Sequence, residues 1–524
     1  MNRWPFSLKR WHWQGFTTGI LLFATTAIGA GIRLRHLADE CPWYDEIITF
    51  AYLSADSLSE FLAQTSHQSP LVPPVYLTLE YFWAQWVGSS VFCVRLLSVI
   101  LGTACIPLVF LVARSVYGRS AGLLAACLLM LNTQHLYYSQ EIRMYALLAM
   151  LGLLSGLAFL KLMQTWRLTT LLAGFVANAL LVFTHPFGLM LPVAEGLTLL
   201  FFRGSKRHSV LTWVGLHCAV LTALVLWLAT RNLASGTEDV GWLSPPTLLT
   251  REQGPTGSNW PSSVEGVLLV SMGMNYRRES EPNMPPLSRT RQVWADAVVR
   301  VSLLFVLLRV VTDVFGACCS RRHTERQQDS VLRIRAVFLS LWVAVPIAAL
   351  LLGSTLWQPM FFARYLLFAT VVVPVLATGA LRQVSQAATR RFLGAVLVLA
   401  ALGQLLALPA GPLRRDWAAI ACAASSAIKP TDTVVYHGKT AEAATLAHFL
   451  HCAQCTSETS AWLAAIKAMR AVEQGKTVWI LTVEERAARI IGEEIERRGG
   501  HFAVVRLDSG ESAYAGLVSR PSQL

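Results

Sequence analysis

Long apolar stretches separated by short polar segments dominate the first 410 residues of the chain. A helix needs about 20 mostly apolar residues to cross the hydrocarbon core of a bilayer. Eleven stretches approach or reach that length, near residues 16–35, 91–113, 120–136, 144–162, 169–184, 187–202, 210–230, 295–316, 336–355, 364–381 and 392–410. The third, fifth and sixth are short, and Pro186 interrupts the apolar run between the last two. The pattern predicts an α-helical polytopic membrane protein with about eleven transmembrane helices.

The pattern changes after about Gly411, where apolar and polar residues become mixed. Short strands are predicted at 433–436, 477–481 and 502–506, and helices at 441–451, 461–474 and 484–498. Alternating strands and helices indicate a small α/β domain. We therefore predict a transmembrane domain at residues 1–410 and a soluble α/β domain at residues 411–524.

Cys452 and Cys455 form the only spaced cysteine pair in this C-terminal region. There is no second pair to complete a zinc site. A disulfide and two unpaired thiols are the alternatives to a metal site.

The composition excludes a purely soluble enzyme and a disordered chain. Of the 524 residues, 54% are hydrophobic and only 14% are charged, whereas a soluble globular chain carries roughly 25% charged residues. The net charge is +13, from 44 Lys and Arg against 31 Asp and Glu. Such an excess suggests either nucleic acid or basic cytoplasmic loops, and its distribution along the chain decides between them.

The basic residues are concentrated on one side of the predicted membrane topology. If the N-terminus is cytoplasmic, the inner segments carry eighteen Lys and Arg residues, opposed only by Glu325 and Asp329. This is the positive-inside pattern, and it accounts for most of the net charge without a nucleic-acid partner. It predicts a multi-pass protein of the cell inner (plasma) membrane with a cytoplasmic N-terminus. The C-terminal domain would then lie on the outer face, in the periplasm or outside the cell.

Two predicted outer loops, 36–90 and 231–294, are far longer than simple connections, and long ordered loops tend to be functional. The first should contain two short helices on the membrane surface, the second of which begins at a capping box opened by Ser57. Pro73 and Pro74 are expected to hold the chain extended where it re-enters the bilayer.

Asp45 and Glu46 stand in the first turn of the first of these short helices. Carboxylates are favoured there by the helix macrodipole, so a solvated pair is one interpretation. Side chains at adjacent helical positions point about 100° apart, and the two carboxylates cannot converge on one atom. At most one of them is expected to face a reaction centre.

Further polar residues occur where the predicted outer turns meet apolar stretches. They are His67 in the first loop, Glu141, Arg143 and Tyr145 at the start of the fourth stretch, His185 beside Pro186, and Arg364 and Tyr365 at the tenth stretch. Placing a charged side chain at the end of a membrane helix costs free energy unless the charge has a partner. A mutual ion pair is the alternative for Glu141 and Arg143, and a plain surface position is the alternative for His67. Arg364 has no carboxylate within ten residues, so its partner is distant in sequence or is a ligand anion.

These motifs resemble those of the GT-C superfamily of membrane glycosyltransferases, most closely the branch of protein O-mannosyltransferases and lipid A aminoarabinose transferases. The resemblance covers about residues 15–410. It rests on Trp-Tyr-Asp-Glu at 43–46, His…Pro-Pro-x-Tyr at 67–76, Gln-Glu-x-Arg-Met-Tyr at 140–145, Thr-His at 184–185 and Arg-Tyr at 364–365.

The resemblance implies sugar transfer from a polyprenyl-phosphate donor to a lipid, glycan or protein acceptor on the outer face, among membrane lipids. It implies Asp45 as the catalytic base, with Glu46 beside it, and Arg143 and Arg364 at the donor phosphate. His67 is separated from the paired prolines here, whereas many family members have His-Pro-Pro directly. No cofactor is assigned on this basis, and the use of a divalent metal stays open.

The chemistry of such a transfer agrees with these residue types. A lipid phosphate is already a good leaving group, so no general acid is required, in contrast to the two carboxylates of glycosidases. One carboxylate can take the acceptor proton while cations hold the departing phosphate. A single displacement inverts the anomeric centre.

Two other functions remain as alternatives. A transporter or lipid flippase would carry ionisable residues near mid-membrane and paired broken helices. In this sequence the charges lie near the outer rim, and no inverted repeat is visible. A polymerase or ligase of lipid-linked glycans would share the long loops and the arginines, but it gives no reason for the early Asp-Glu pair.

Overall fold

The computed structural model of the protein describes most of the membrane region and parts of the C-terminal region. The described residues are 7–39, 42, 44–68, 72–201, 207–232, 327–356, 363–406, 417–425, 427–429, 431–437, 446, 450, 455–458, 461–474, 476–483, 485–507 and 513–519. The predicted eighth span near 295–316, nearly all of the predicted loop 231–294 and the predicted domain boundary at Gly411 lie outside these residues.

The described membrane region is helical. Its helices are α1 (Ser7–Leu34), α2 (Tyr44–Ala51), α3 (Leu58–Gln68), α4 (Pro74–Val87), α5 (Val91–Tyr117), α6 (Arg119–Met130), α7 (Thr133–Tyr138), α8 (Tyr145–Leu162), α9 (Leu168–Val182), α10 (Met190–Phe201), α11 (Arg207–Asn232), α12 (Gln327–Leu356), α13 (Leu367–Thr370), α14 (Val373–Leu381) and α15 (Ala387–Leu406). Short 3₁₀ turns lie at Pro186–Leu189 and Ala363–Leu366.

Seven helical segments of the described residues are long and apolar enough to cross a membrane. They are Gly15–Leu34, Val91–Tyr117, Tyr145–Leu162, Val210–Thr230, Arg333–Gly353, Arg364–Leu381 and Ala387–Leu406. Three shorter apolar segments, Arg119–Met130, Leu168–Val182 and Pro186–Leu200, coincide with the three stretches that were short in the sequence. The predicted polytopic helical architecture is confirmed.

The third predicted stretch, 120–136, is not one continuous helix. α6 ends at Met130, and the side chain of Asn132 accepts a hydrogen bond from the main-chain N–H of His135 at 2.8 Å. An Asn side chain in this role starts a new helix, because it satisfies one of the N–H groups that the first turn leaves unpaired. The chain therefore bends into α7 just before the Gln140–Tyr145 motif.

The first loop forms three short helices, α2, α3 and α4. The predicted capping box is present, since the Ser57 hydroxyl accepts from the Glu60 N–H at 3.2 Å and the Glu60 carboxylate accepts from the Asp56 N–H at 3.2 Å. The prediction of an extended chain at the prolines is wrong beyond Pro73. Pro74 is the first residue of α4, where its fixed φ suits a helix and its missing N–H has no helical partner to lose.

α5 and α8 lie at the centre of the bundle. In their membrane-spanning windows 61% and 72% of residues are buried, against 6% for α1 and 0% for α15. Gly156 of α8 lies so close to the ring of Trp342 that a Cβ atom would overlap it, which allows α12 to pack directly on α8. The Trp342 indole then donates to the main-chain oxygen of Phe368 at 3.0 Å. These contacts fix α8, whose first residue follows the Arg143 motif.

The C-terminal region contains the predicted small α/β fold. Its elements are α16 (Trp417–Ser425), β1 (Thr433–His437), β2 (Cys455–Glu458), α17 (Ala461–Glu473), β3 (Val478–Thr482), α18 (Glu485–Arg497), β4 (His501–Arg506) and β5 (Tyr514–Ser519). The sheet order is β2-β1-β3-β5-β4, with β2, β1 and β3 parallel and β5 antiparallel to β3 and β4. β2 and β5 were not predicted. Cys455 lies in β2, and the alternatives for its pairing stay open because Cys452 is outside the described residues.

Candidate active site

The candidate residues come from separate segments that meet at one end of the helix bundle. We call it the first-loop end, because residues 35–90 lie there. α1 ends and α5 and α8 begin at this end, and the two 3₁₀ turns carry His185 and Arg364 into it. Its geometry is set by contacts between residues that are far apart in sequence.

Glu46 is fully buried in an ion pair with Arg95 of α5. The Arg95 guanidinium donates to both carboxylate oxygens, at 3.0 and 2.8 Å. One of these oxygens also accepts from the main-chain N–H of Ile142 at 2.9 Å, and Arg95 donates to the main-chain oxygen of Leu37 at 2.9 Å. The pair therefore ties the first-loop helix α2 to α5 and to the Glu141–Arg143 motif.

Asp45 points away from this pair and toward two arginines. Its carboxylate oxygen Oδ2 is 3.5 Å from Nη1 of Arg364, and its main-chain oxygen accepts from Nη1 of Arg143 at 3.2 Å. Asp45 is 8% exposed. The adjacent carboxylates thus have different surroundings, one enclosed by structural contacts and one at the edge of a cationic cluster.

Arg143 lies beside Asp45 and stays charged. Burial lowers the pKa of Arg143, but the nearby Asp45 carboxylate raises it, and on balance the pKa is above its ordinary value. The ion pair with Glu141, which was the alternative from the sequence, does not form among the described residues, and the Nε of Arg143 is buried there without a hydrogen-bond partner. A buried guanidinium N–H that lacks an acceptor favours binding of an anion, which would accept its hydrogen bond.

Aromatic rings line the other side of the arginines. The Tyr365 ring packs on His185 and Phe187, with ring centroids 5.2 and 5.0 Å apart, and the Arg364 guanidinium lies 5.1 Å from the Tyr365 ring. Tyr145 makes an edge contact with Tyr138 at 5.0 Å. The rings hold the guanidinium of Arg364 in a fixed place by packing and by cation–π attraction.

His185 is held as a neutral hydrogen-bonding residue. Burial, with the charges of Arg143 and Arg364, lowers the pKa of His185 to about 3. Its Nδ1 accepts from the main-chain N–H of Phe187 at 3.2 Å, so the proton of the neutral ring is on Nε2. His185 can therefore donate one hydrogen bond from Nε2 but cannot serve as a cation near neutral pH.

Among the described residues, no side-chain contact brings the predicted site residues His67 and Glu141 to Arg143 or Arg364. His67 lies near the end of α3, and its side chain is outside the described residues. Glu141 is buried, and its main-chain oxygen accepts from the Ser98 hydroxyl at 2.5 Å. Both stay predictions.

Comparison with known proteins identifies the fold. No protein-family profile matches the sequence, and no curated protein matches it. The structure is similar to the oligosaccharyltransferase of Archaeoglobus fulgidus in its complex with Zn and sulfate, with a TM-score of 0.51 and 13% identity over 93% of this chain and 72% of that chain. For the apo form of the same enzyme the TM-score is 0.50, with 14% identity over 92% of this chain and 73% of that chain.

A third similar structure is ArnT from Cupriavidus metallidurans bound to undecaprenyl phosphate, with a TM-score of 0.42 and 14% identity over 94% of this chain and 97% of that chain. The fold assignment rests on the archaeal enzyme, which is a GT-C membrane protein. The chain has the GT-C fold.

Several residues that build this candidate site were not among the predicted site residues. Arg95 is the clearest, and its position within the apolar stretch 91–113 was an available signal, since intramembrane charges are rare. Tyr76 and Glu80 of α4 are also buried at the first-loop end. Burial, and to a lesser degree the Glu46 charge, raises the pKa of Glu80 to about 8.

Metal ligands do not cluster in the described part of the candidate site. Among the described residues no group of three or more His, Cys, Asp or Glu side chains is placed to hold a metal ion. Asp45 already faces Arg364, with Arg143 close by. Two guanidinium groups around one carboxylate repel a divalent cation, so these residues do not fit a metal.

Proposed function

We propose that this protein is a membrane glycosyltransferase that transfers a sugar from a polyprenyl-phosphate donor to a lipid, glycan or protein acceptor. The observation that carries the proposal is the arrangement of Asp45, Arg143 and Arg364, in which a single partly accessible carboxylate lies against two guanidinium groups. The GT-C fold supports the same class of reaction.

The excess of positive charge suits a lipid phosphate. Asp45 balances one of the two guanidinium charges, and the Arg95 charge is already balanced by Glu46. A phosphate bound between Arg143 and Arg364 would be attracted by both positive charges, and the planar fork of Arg matches two phosphate oxygens at once. Since the arginines lie at the ends of membrane helices, the polyprenyl chain can remain among the apolar helices while its phosphate reaches them.

Asp45 is suited to be the general base. The acceptor oxygen or nitrogen attacks the anomeric carbon, the bond from that carbon to the phosphate oxygen breaks, and the acceptor proton passes to the Asp45 carboxylate. The polyprenyl phosphate leaves with the bonding electron pair, which Arg143 and Arg364 stabilise. Glu46, enclosed by Arg95, positions Asp45 and takes no proton. His185 offers its Nε2–H to a donor oxygen.

The first-loop end is proposed to face the outside of the cell inner membrane. The support is the excess of basic residues in the segments predicted on the other side. A cytoplasmic N-terminus and an outward C-terminal domain belong to the same proposal.

The test is sugar transfer by the purified protein in vesicles. Radiolabelled mannosyl, glucosyl and aminoarabinosyl polyprenyl phosphates serve as donors, and release of the sugar to water reports turnover without a known acceptor. Asp45→Asn keeps the shape of the side chain but removes the proton acceptor, so we expect turnover to fall by about 10²–10⁴. Donor affinity should hold or rise, because a negative charge near the phosphate is lost.

Asp39→Asn is the matched control, since Asp39 lies in the same loop in an exposed pair with His36. It should leave transfer unchanged. Near-normal transfer by Asp45→Asn would remove the assignment of the base, and failure of all donors with the wild-type protein would remove the donor class.

One observation favours the flippase alternative. Glu195, a carboxyl group, lies five residues into the apolar helix α10 and is 1% exposed. Ionisable residues are thus not confined to the outer rim, where the sequence pattern places the charges. A flippase that carries protons would need Glu195 to ionise, whereas a glycosyltransferase would not. The hydrogen bonds around Glu195 determine its protonation state.

A further inference from the structure

A polar cluster crosses four consecutive helices inside the apolar bundle. It consists of Ser155 of α8, Asn178 of α9, Glu195 of α10 and His217 of α11. The first three are 0–1% exposed. Burying polar groups among apolar helices costs free energy unless every hydrogen-bond donor and acceptor is paired. The position of each proton in the cluster therefore matters.

The cluster contains a closed ring of hydrogen-bond distances. The Ser155 hydroxyl oxygen is 2.6 Å from Asn178 Oδ1 and 2.7 Å from Glu195 Oε1. Asn178 Nδ2 is 2.8 Å from Glu195 Oε2 and 3.0 Å from His217 Nε2. His217 Nδ1 is 2.8 Å from the main-chain oxygen of Trp213.

The main-chain oxygen of Trp213 fixes the protons of His217 and Asn178. A carbonyl oxygen only accepts, so His217 Nδ1 carries a hydrogen, and the Nε2 of the neutral ring is an acceptor. The group 3.0 Å from that Nε2 must be a donor, which is the Asn178 NH₂ as it stands. Its two hydrogens are then directed to His217 Nε2 and Glu195 Oε2.

The Ser155 hydroxyl then fixes the proton of Glu195. A hydroxyl has one hydrogen, and here it faces two oxygens, Asn178 Oδ1 and Glu195 Oε1. Asn178 Oδ1 has no hydrogen to give, so it receives the one from Ser155. The 2.7 Å contact on the other side requires a hydrogen on Glu195 Oε1. Glu195 is therefore a neutral carboxylic acid, and each of its two oxygens is paired.

The cluster holds the helices that carry the active-site turns. Asn178 lies four residues, or about 6 Å, before the end of α9, after which the chain passes through His185 into α10. Phe183, at the end of α9, accepts a hydrogen bond from Val75 of α4 at 3.2 Å. Ser155 connects this pair of helices to α8, which begins two residues after Arg143.

We propose that Glu195 is a positioning residue, which in its neutral form links α10 to Ser155 of α8 and to Asn178 of α9 and so fixes the His185 turn against Tyr365. This inference rests on the proposed function. It assigns Glu195 the opposite role from a proton carrier in a flippase, which would have to ionise during each cycle.

Isosteric replacement separates the two roles. In Glu195→Gln the amide donates to Ser155 and its oxygen accepts from Asn178, so every contact of the neutral acid is kept. Glu195→Leu removes both contacts and leaves one N–H of Asn178 without an acceptor, although Asn178 keeps its contacts with Ser155 and His217. Thr198→Val is the matched control, because Thr198 is equally buried in α10 but its hydroxyl bonds only within that helix, to Ala194 at 2.7 Å.

The measurements are made on the full-length protein in vesicles. The infrared difference spectrum between wild type and Glu195→Gln should contain the carbonyl band of one protonated carboxyl group. Glu195→Gln and Thr198→Val should keep turnover and donor KM within about twofold, whereas Glu195→Leu should change them by about tenfold or more, since small displacements far from the chemistry can cost up to about 10² in rate. Should Glu195→Leu fail to fold, Ser155→Ala takes its place with the same expectation.

Three results would overturn the inference. They are an infrared spectrum without the carboxyl band, a Glu195→Gln variant as impaired as Glu195→Leu, and a Glu195→Leu variant with lower thermal stability but unchanged turnover and donor KM. If the wild-type protein transfers no sugar, the proposed function fails on its own. The infrared band and the affinity for sugar-free undecaprenyl phosphate, measured by tryptophan fluorescence, then decide the role of Glu195.

Discussion

The ion pair between Glu46 and Arg95 gives the sharpest quantitative prediction. Glu46→Gln keeps the shape of the side chain and removes its charge. Both side chains are at most 2% exposed, and the pair is bidentate. Removing one partner of a buried ion pair costs about 3–5 kcal/mol of folding free energy, because the remaining charge is buried without compensation.

The geometry supports a value in the upper part of this range. The carboxylate of Glu46 receives three N–H groups, two from Arg95 and one from Ile142. An amide has one oxygen, so in Glu46→Gln at least one of these donors faces an NH₂ group. A mismatched buried donor adds about 1–3 kcal/mol.

Arg95→Met and the double variant Glu46→Gln/Arg95→Met complete a double-mutant cycle. The double variant should cost less than the sum of the single variants, with a coupling energy of up to about 3 kcal/mol, since no unpaired charge remains. The measurement is reversible unfolding in mixed detergent and dodecyl sulfate micelles, followed by tryptophan fluorescence. Asp39→Asn, which breaks the exposed pair with His36, should change the free energy of unfolding by only about 1 kcal/mol or less.

Sugar transfer provides the second readout for the same variants. Glu46→Gln should lose stability and turnover together, whereas Asp45→Asn should lose turnover with a smaller loss of stability, because its carboxylate makes a single, longer contact with Arg364. A Glu46→Gln protein with wild-type stability and the kinetic defect of Asp45→Asn would refute the positioning role. It would place Glu46 in the chemistry.

Three further predictions concern the arginines, the topology and a buried carboxyl group. Arg143→Ala and Arg364→Ala should each weaken donor binding by about 1.5–3 kcal/mol in a vesicle binding assay, with partial rescue by Lys; unchanged affinity in both would favour a purely structural role. Reporter fusions at Ser320 and Gly438 should report opposite sides of the membrane, with Gly438 outside, and the same side for both would contradict the topology. Glu80 has its pKa raised to about 8, so its contribution to stability is complete below pH 4.5 and is lost as the pH rises to 8. Against Glu80→Gln, wild-type protein should lose on the order of 3–5 kcal/mol between these pH values, and parallel stability profiles would contradict the assignment.

The sequence predicted the helices and strands that are specified by the residues within each segment. The spans were found because length and apolar character alone decide them. β1, β3 and β4 contain the compact apolar runs Val-Val-Tyr, Val-Trp-Ile-Leu and Phe-Ala-Val-Val. By contrast, β2 has only four residues, three of them polar, and β5 is interrupted by Gly516. The break at Asn132 was missed because the apolar run before it is followed, after three further polar residues, by Leu136, Tyr137 and Tyr138, which also suit a membrane helix.

The partners of the site residues could not be predicted, because they are set by packing between distant segments. Arg95 is 49 residues from Glu46, and Arg364 is more than 300 residues from Asp45. No spacing rule applies at that range. What the sequence did contain was the chemical anomaly, an arginine in an apolar helix and another without a nearby carboxylate, which indicates that a partner exists without identifying it.

The contacts at the first-loop end explain why two adjacent carboxylates belong in one motif. Glu46 accepts from the N–H of Ile142, and Arg143, the next residue, donates to the main-chain oxygen of Asp45. Two hydrogen bonds thus connect the Asp45-Glu46 pair with Ile142 and Arg143. The ion pair with Arg95 holds Glu46 in place. Because the main chain at Asp45 is held in this way, its carboxylate does not have to fix the helix and can face Arg364. It can remain at the edge of the cationic cluster, where a base has to meet its substrate.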